Sequence, residues 1–217
     1  MEDAKKARNT LRMIGLSRPL QALVIRELNE HTPASAVADL AAPLAAGEDM
    51  GLLSDVGCPG VADPGALLVR QAHAMGARVV PLVGPSSLLL ALMASGLEGQ
   101  RFAFCGYLPQ RPAEREMAIR NIEKRSAQQR ETQIFIEAPY RNDRLFAALL
   151  DACAGDTRLC VATELCLAGE SIETHRVRDW RTRARPLIDR RPTVFLLLAE
   201  SRSAHAGRRL ATDQRLP

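Results

Sequence analysis

Hydrophobic and polar positions along the chain follow two spacings, one typical of helices and one typical of strands. Ala4, Ala7, Leu11 and Ile14 recur at helical spacing, which predicts a first helix that ends at Gly15. The same spacing predicts further helices over residues 33–46, 66–75, 88–95, 113–126 and 142–153. Short apolar runs bounded by turn residues predict strands over residues 22–25, 50–53, 78–83, 102–107, 132–137, 158–163, 171–177 and 193–199.

The order of these elements differs between the two halves of the chain. Over residues 50–95, strand, glycine-containing loop and helix alternate twice, which favours a parallel sheet covered by helices. After a proline-bounded linker at residues 109–112, fewer helices separate the strands, which favours a mixed sheet. We therefore predict an α/β fold of two domains, with a parallel sheet in residues 1–108 and a mixed sheet in residues 109–200. A basic flexible tail is predicted for residues 201–217.

Composition places the chain among soluble globular proteins. Its 217 residues are 47% hydrophobic and 25% charged, and the longest apolar stretch, residues 79–92, is interrupted by glycine, proline and serine. The polar N-terminus lacks the apolar core of a secretory signal, so we expect a cytoplasmic protein. The five cysteines and four histidines show no zinc-like spacing, which predicts structural thiols and no metal site.

Two loops rich in glycine and proline each join a predicted strand to a predicted helix. The first reads SDVGCPGVADPG, residues 54–65, and the second reads GPSS, residues 84–87. Ligands of open parallel sheets bind outside the carboxyl ends of strands, where both loops fall. Neither loop has the lysine or the glycine spacing of a phosphate-binding motif. We therefore expect a neutral or cationic ligand that is bound largely by backbone groups.

Individual polar residues of these loops have distinct expected roles. Asp55 follows a predicted strand and could accept hydrogen bonds from a ribose or an amino group. Asp63 is predicted to cap the helix that begins near residue 66. Ser86 and Ser87 could either cap the next helix or contact a ligand.

Both loops belong to a longer series of segments, which read SDVGCPGVADPG, RVVPLVGPSSLLLALMASGL, RFAFCGYLP and TQIFIEAPYRNDRLFAAL. Together they resemble the tetrapyrrole methylase superfamily of class III S-adenosylmethionine-dependent methyltransferases. Within it they are most similar to the branch that methylates a cytidine ribose 2′-oxygen of small-subunit (16S) ribosomal RNA. The resemblance implies two α/β domains, with the methyl donor S-adenosyl-L-methionine in the cleft between them, and a homodimer.

The resemblance also implies which residues contact the donor. They are Asp55, Gly57, Cys58, Ser86, Ser87, Ala138, Leu165, Pro192 and Thr193. A ribose hydroxyl is a poor nucleophile, so Glu137 and Glu164 are candidates for a general base. Arg141 could stabilise a phosphate or a developing oxyanion. Alternatively, Glu137 and Arg141 could form a structural ion pair.

The chain departs from the family pattern in three places. The family's first strand, loop and helix have no counterpart ahead of Met1, so we expect an N-terminally truncated chain or a misplaced start codon. The family motif ESPHR reads EAPYR here, with Tyr140 in place of histidine. The additional C-terminal domain of some ribosomal members is also missing.

Arginines crowd the second half of the chain and bear on its partner. They are Arg176, Arg178, Arg181, Arg183, Arg185, Arg190 and Arg191. Such a segment forms either a solvated basic face or a surface that follows phosphates.

The residues and the resemblance together leave three functions open, because members of one fold family differ in substrate. The first is methylation of ribosomal RNA or the small ribosomal subunit, the second is methylation of a tetrapyrrole or other small molecule, and the third is RNA binding without catalysis.

Overall fold

The computed structural model describes residues 3–16, 19–54 and 57–200. Contacts between residues divide the chain into two compact units, residues 1–86 and residues 87–217. The predicted tail, residues 201–217, lies outside the described residues. We call the two parts the first unit and the second unit.

All the regular secondary structure in the described part of the first unit is helical. Its helices are α1 (Ala4–Met13), α2 (Ala34–Ala45) and α3 (Gly65–Ala74), with a single 3₁₀ turn at Leu20–Ala22. Helices α2 and α3 lie within one residue of their predicted ranges at both ends, α1 ends two residues before Gly15, and α2 packs against α3. The Asp3 carboxylate caps α1 by accepting hydrogen bonds from the Lys5 and Lys6 amides at 2.7 and 3.2 Å.

The predicted strands of the first unit are not found. Residues 22–25, 50–53 and 78–83 form no strand, so the predicted parallel sheet has no counterpart in the described part of this unit. Val80, Leu82 and Val83 are instead exposed to solvent. An apolar extended segment becomes a strand only where a neighbouring backbone supplies ladder hydrogen bonds, and periodicity reports nothing about that neighbour.

The second unit contains a five-stranded mixed sheet. A mixed sheet was predicted for residues 109–200, but residues 102–107, which were assigned to the first domain, also belong to this sheet. Its strands are β1 (Phe102–Tyr107), β2 (Thr132–Ile136), β3 (Arg158–Thr163), β4 (Ser171–Arg176) and β5 (Thr193–Leu198). They lie in the order β1-β2-β5-β3-β4. The β1–β2 pair is parallel, whereas β5 is antiparallel to both β2 and β3, and β4 is antiparallel to β3.

Helices cover both faces of this sheet. They are α4 (Ser87–Ser95), α5 (Pro112–Gln129), α6 (Asn142–Ala152) and the four-residue α7 (Val177–Trp180). Helix α4 packs through Ala91 and Leu92 on one face, and α5, α6 and α7 cover the other. The division by contacts falls after residue 86, earlier than the predicted boundary at residue 108, because α4 packs on the sheet of the second unit.

Trp180 fixes the end of α7 in the core. Its indole is buried, donates a hydrogen bond from Nε1 to the Leu159 carbonyl at 2.8 Å, and meets the Phe146 ring edge-on. The chain that follows α7 therefore starts from a rigid anchor.

No described helix combines the length and apolar character that a membrane span requires. Within the same described ranges, no three histidine, cysteine or acidic side chains gather in the way that metal ligands do.

Two cysteines are core residues of the second unit. Cys153 and Cys160 are buried, and burial raises the pKa of both thiols, that of Cys160 to about 11. Cys166, by contrast, is exposed. The thiolate is the reactive form of cysteine, so the two buried thiols are inert in the folded protein.

We expect alkaline pH to destabilise the protein through these thiols. Between the ordinary thiol pKa of 9.0 and about 11, the unfolded chain loses a proton that folded Cys160 retains. The free energy of unfolding should therefore fall by about 1.4 kcal/mol per pH unit for this group. Urea denaturation across this range would measure the slope, and Cys160→Ala should flatten it whereas Cys166→Ala should not. Equal slopes in all three proteins would contradict the assignment.

Candidate active site

Three loops of the second unit meet at one edge of its sheet. Because β5 runs antiparallel to β2 and β3, the carboxyl ends of β2 and β3 lie beside the amino end of β5. Backbone hydrogen bonds join the loops, from the Glu164 amide to the Pro192 carbonyl at 2.9 Å and from the Arg190 amide to the Pro139 carbonyl at 3.1 Å. We call this region the site edge. The predicted residues that lie there are Glu137, Ala138, Arg141, Glu164, Leu165, Pro192 and Thr193.

Asn142 holds two of these loops together, although it was not predicted as a site residue. Its buried side-chain Nδ2 donates to the carbonyls of Ile188 and Arg191, at 3.0 and 2.8 Å. The Oδ1 atom is buried and has no hydrogen-bond partner among the described residues. An asparagine at the start of a helix is common, so the local sequence gave no signal for this long-range role.

Glu137 and Arg141 form the ion pair that was the structural alternative for these residues. The Glu137 side chain is fully buried, and that of Arg141 is 16% exposed. Glu137 Oε1 accepts hydrogen bonds from Arg141 Nη2 at 2.6 Å, from Arg141 Nε at 2.9 Å and from the Ala138 amide at 2.7 Å. Hydrogen bonding to this carboxylate raises the pKa of Arg141 above its usual value. The pair therefore fixes the backbone where β2 leaves the sheet.

The second oxygen of Glu137 is free to interact. Oε2 is buried and has no partner among the described residues, whereas Oε1 is occupied by three donors. Buried acceptors of this kind are normally satisfied, and because the Glu137 side chain has no exposed surface, a buried water is the partner that suits this atom. Arg141 also lies over the Tyr140 ring, 5.2 Å from its centroid, and Tyr140 itself is exposed.

Glu164 begins a tight loop after β3. Its backbone is left-handed, with φ of 51°, and its carboxylate pairs with Arg191 at 3.3 Å. The side chain lies directly against Gly169, where an added Cβ would overlap Glu164 Oε2. The absence of a side chain at Gly169 therefore gives the Glu164 carboxylate its position. The sequence shows that residue 169 is glycine, but it does not show that the Glu164 side chain lies against it.

The remaining predicted residues of the second unit have packing or hydrogen-bonding roles at the site edge. Thr193 is buried, donates to the Arg191 carbonyl at 3.0 Å and lies 3.3 Å from the Thr163 hydroxyl. Leu165 packs on the α4 side of the sheet. Pro192 is exposed, and its carbonyl accepts the Glu164 amide. Ser87 is the exposed first residue of α4.

In the first unit, the two glycine loops lie together. The Cys58 thiol donates to the Pro85 carbonyl, with 3.6 Å between sulfur and oxygen, which places Cys58 next to the segment that holds half-buried Ser86. Gly57 is exposed beside Cys58, and Asp55 lies outside the described residues. The contact brings the two loops next to each other.

Asp63 organises the first loop, as predicted. Its carboxylate accepts the amides of Gly65, the first residue of α3, and of Gly60, at 2.7 and 2.9 Å. A Cβ at Gly65 would meet this carboxylate at 2.5 Å and Leu52 at 2.8 Å, so only glycine fits there. The Asp63 carboxylate is thus occupied by hydrogen bonds to the loop and to the first residue of α3.

Comparison with known proteins identifies a family and several relatives to which this chain is similar. Residues 5–180 match the family described as Tetrapyrrole (Corrin/Porphyrin) Methylases. The Ribosomal RNA small subunit methyltransferase I of Pseudomonas aeruginosa is 35% identical over 182 residues, which are 82% of this chain and 61% of that protein. The protein of the same name from Vibrio cholerae is 32% identical over 217 residues, which are 100% of this chain and 70% of that protein. The chain thus spans less than two thirds of the Pseudomonas relative.

A solved structure shows the same fold. The crystal structure of the methyltransferase CobJ covers 84% of this chain and 77% of its own, with a TM-score of 0.56 and 17% identity. At this identity the likeness concerns the fold alone. With the family match over most of the chain and relatives above 30% identity, the chain belongs to the tetrapyrrole methylase family.

Proposed function

We propose that this chain is an S-adenosylmethionine-dependent methyltransferase that modifies a cytidine ribose 2′-oxygen of small-subunit ribosomal RNA. We further propose that it acts in the cytoplasm as a homodimer. The observation that carries the proposal is the convergence at the site edge of three hydrogen-bonded loops with two acidic side chains paired with arginine, one buried and one partly exposed. The names of the relatives support ribosomal RNA as the substrate.

The residues fit a methyl donor that is held through hydrogen bonds. For the second unit we propose contacts from Ala138, Leu165, Pro192, Thr193 and Ser87. Fully buried Glu137 would orient the Ala138 backbone for the donor, because its carboxylate accepts the Ala138 amide. For the first unit we propose contacts from Asp55, Gly57, Cys58 and Ser86, which the Cys58–Pro85 hydrogen bond supports.

Catalysis would depend mainly on orientation. When bound, S-adenosylmethionine supplies an electrophilic methyl group on sulfur. The protein must align the ribose oxygen with that methyl carbon, and rigid loops favour such alignment because little motion is lost on binding. Glu164, 24% exposed at its side chain, is our candidate to accept the proton of the 2′-hydroxyl. Fully buried Glu137 would act by positioning, and Arg141 would stabilise negative charge.

Methyl transfer to ribosomal subunits would test the proposal. Purified chain, radiolabelled S-adenosylmethionine and small subunits that lack the modification should give labelled RNA, and nuclease digestion should release the label as 2′-O-methylcytidine. Calorimetry of the donor alone identifies the alternatives. Donor binding without RNA labelling would point to a small-molecule substrate, and absence of donor heat would point to a non-catalytic RNA-binding protein.

The Glu137–Arg141 pair should matter far more than a surface pair of the same spacing. Glu137→Ala leaves Arg141 without its buried partner, so we expect a loss of about 3 kcal/mol in the free energy of unfolding and loss of donor binding. Glu116→Ala removes a solvent-exposed partner of Arg120 and should cost less than about 1 kcal/mol. Urea denaturation and calorimetry would measure both, and equal effects of the two substitutions would contradict the role of Glu137.

A methyl group at Gly169 should displace Glu164. We expect Gly169→Ala to reduce methyl transfer and to lower the free energy of unfolding by less than about 1 kcal/mol, because the overlapping atom ends a flexible side chain that can move. Gly99→Ala is the matched control, because nothing lies within 4 Å of its added Cβ. In a Glu164→Ala background the Gly169→Ala cost should largely vanish. An unchanged cost in the double variant would show that another contact is responsible.

A further inference from the structure

A cavity of about 570 Å³ lies beside the site edge, entirely within the second unit. It is bounded by the end of β3, the start of β4 and the loop that follows α7. Thr163 and Arg191 belong both to its lining and to the contacts of the site edge. Its volume lies within the range of cavities that hold nucleotide-sized ligands.

The cavity lining is rich in positive charge. Three arginines, Arg183, Arg185 and Arg191, line the cavity together with a single acidic residue, Glu173. Glu173 has a partner in His175, at 3.2 Å, and Arg191 has one in Glu164. Arg183 and Arg185 are exposed, and neither has an acidic partner within 4 Å among the described residues.

Three neighbouring arginines of the same segment form ion pairs or hydrogen bonds within the fold. Arg176 and Arg178 both pair with Asp156, at 3.0 and 2.6 Å. Arg181 donates to the carbonyls of Leu150 and Cys153 near the end of α6, at 2.6 and 3.0 Å. Apart from Arg190, the segment therefore separates into arginines that bond within the fold and a group that lines the cavity.

We propose that this cavity binds a phosphodiester of the RNA substrate, with Arg183 and Arg185 as the principal contacts. The planar guanidinium fork matches the oxygens of a phosphate. The exposed Ser171 hydroxyl adds a donor, and exposed Leu187 offers apolar contact to a sugar or base. The inference rests on the proposed function, because it makes the cavity the anchor for RNA beside the ribose that is methylated.

Neutral substitutions at the cavity would test this inference. The double variant Arg183→Gln/Arg185→Gln removes the two free charges without adding repulsion. Its matched control, Lys124→Gln/Arg144→Gln, removes the same charge from exposed positions on α5 and α6 that do not line the cavity. Fluorescence anisotropy with a labelled single-stranded RNA of about 20 nucleotides, repeated over a series of salt concentrations, would give Kd for each protein.

We expect the cavity variant to bind the RNA about tenfold more weakly at low salt, and the control to bind like the unmodified chain. The salt dependence should also change. Loss of the contacts to one phosphodiester lowers the slope of log affinity against log salt by about 0.7 for single-stranded RNA. Donor binding by calorimetry and the thermal midpoint should be the same in all three proteins, since both arginines are exposed loop residues.

The other outcomes overturn the inference. Equal weakening by both double variants would show that RNA binds through overall charge. Displacement of the RNA by inorganic phosphate or by polyglutamate, at equal concentrations of anionic groups, would assign the cavity to a free anion or an acidic protein. Failure of the proposed function is separate, because RNA binding that depends on the cavity without any methyl transfer would retain the inference and remove the enzyme.

Discussion

The antiparallel pairing of β5 with β2 on one side and β3 on the other is the constraint on which the second unit depends. It sets the carboxyl ends of two strands beside the amino end of a third, so chain segments far apart in sequence meet at one edge. The register is held by core side chains such as Phe135 and Phe195, whose rings stack with centroids 5.9 Å apart. A slip of one residue would turn every side chain of β5 to the opposite face and expose this core.

The two ion pairs at the site edge differ in burial, and this difference suggests different uses. Glu137 is fully enclosed, so its geometry is fixed by three donors on a single oxygen. Glu164 and Arg191 are partly open to solvent, and their contact of 3.3 Å is looser. Buried pairs contribute more to a unique geometry than to net stability, whereas a half-exposed carboxylate can exchange a proton with a substrate. The site edge thus combines a rigid support with a carboxylate that solvent can reach.

The hydrophobic pattern predicted the strands of the second unit well because the residues within each strand are enough to indicate it. Residues 102–107 and 158–163 form strands over their predicted ranges, since alternating or continuous apolar residues fill a buried sheet. The same reasoning was wrong for residues 78–83, where apolar content is high but no described backbone lies alongside to pair with it. The Glu137–Arg141 pair was foreseeable from its short spacing. Asn142 was not, because its partners lie 46 and 49 residues away.

The loop between α7 and β5 is attached to the core at both ends. Trp180 anchors its start, and at its far end Ile188 is buried while its carbonyl accepts a hydrogen bond from Asn142. The backbone between these points is therefore held at both ends, and, apart from Arg181, which bonds the end of α6, most side chains on it are exposed. Such a segment can change its residues over evolution while the fold persists, which gives related proteins a route to new ligand preferences on one scaffold.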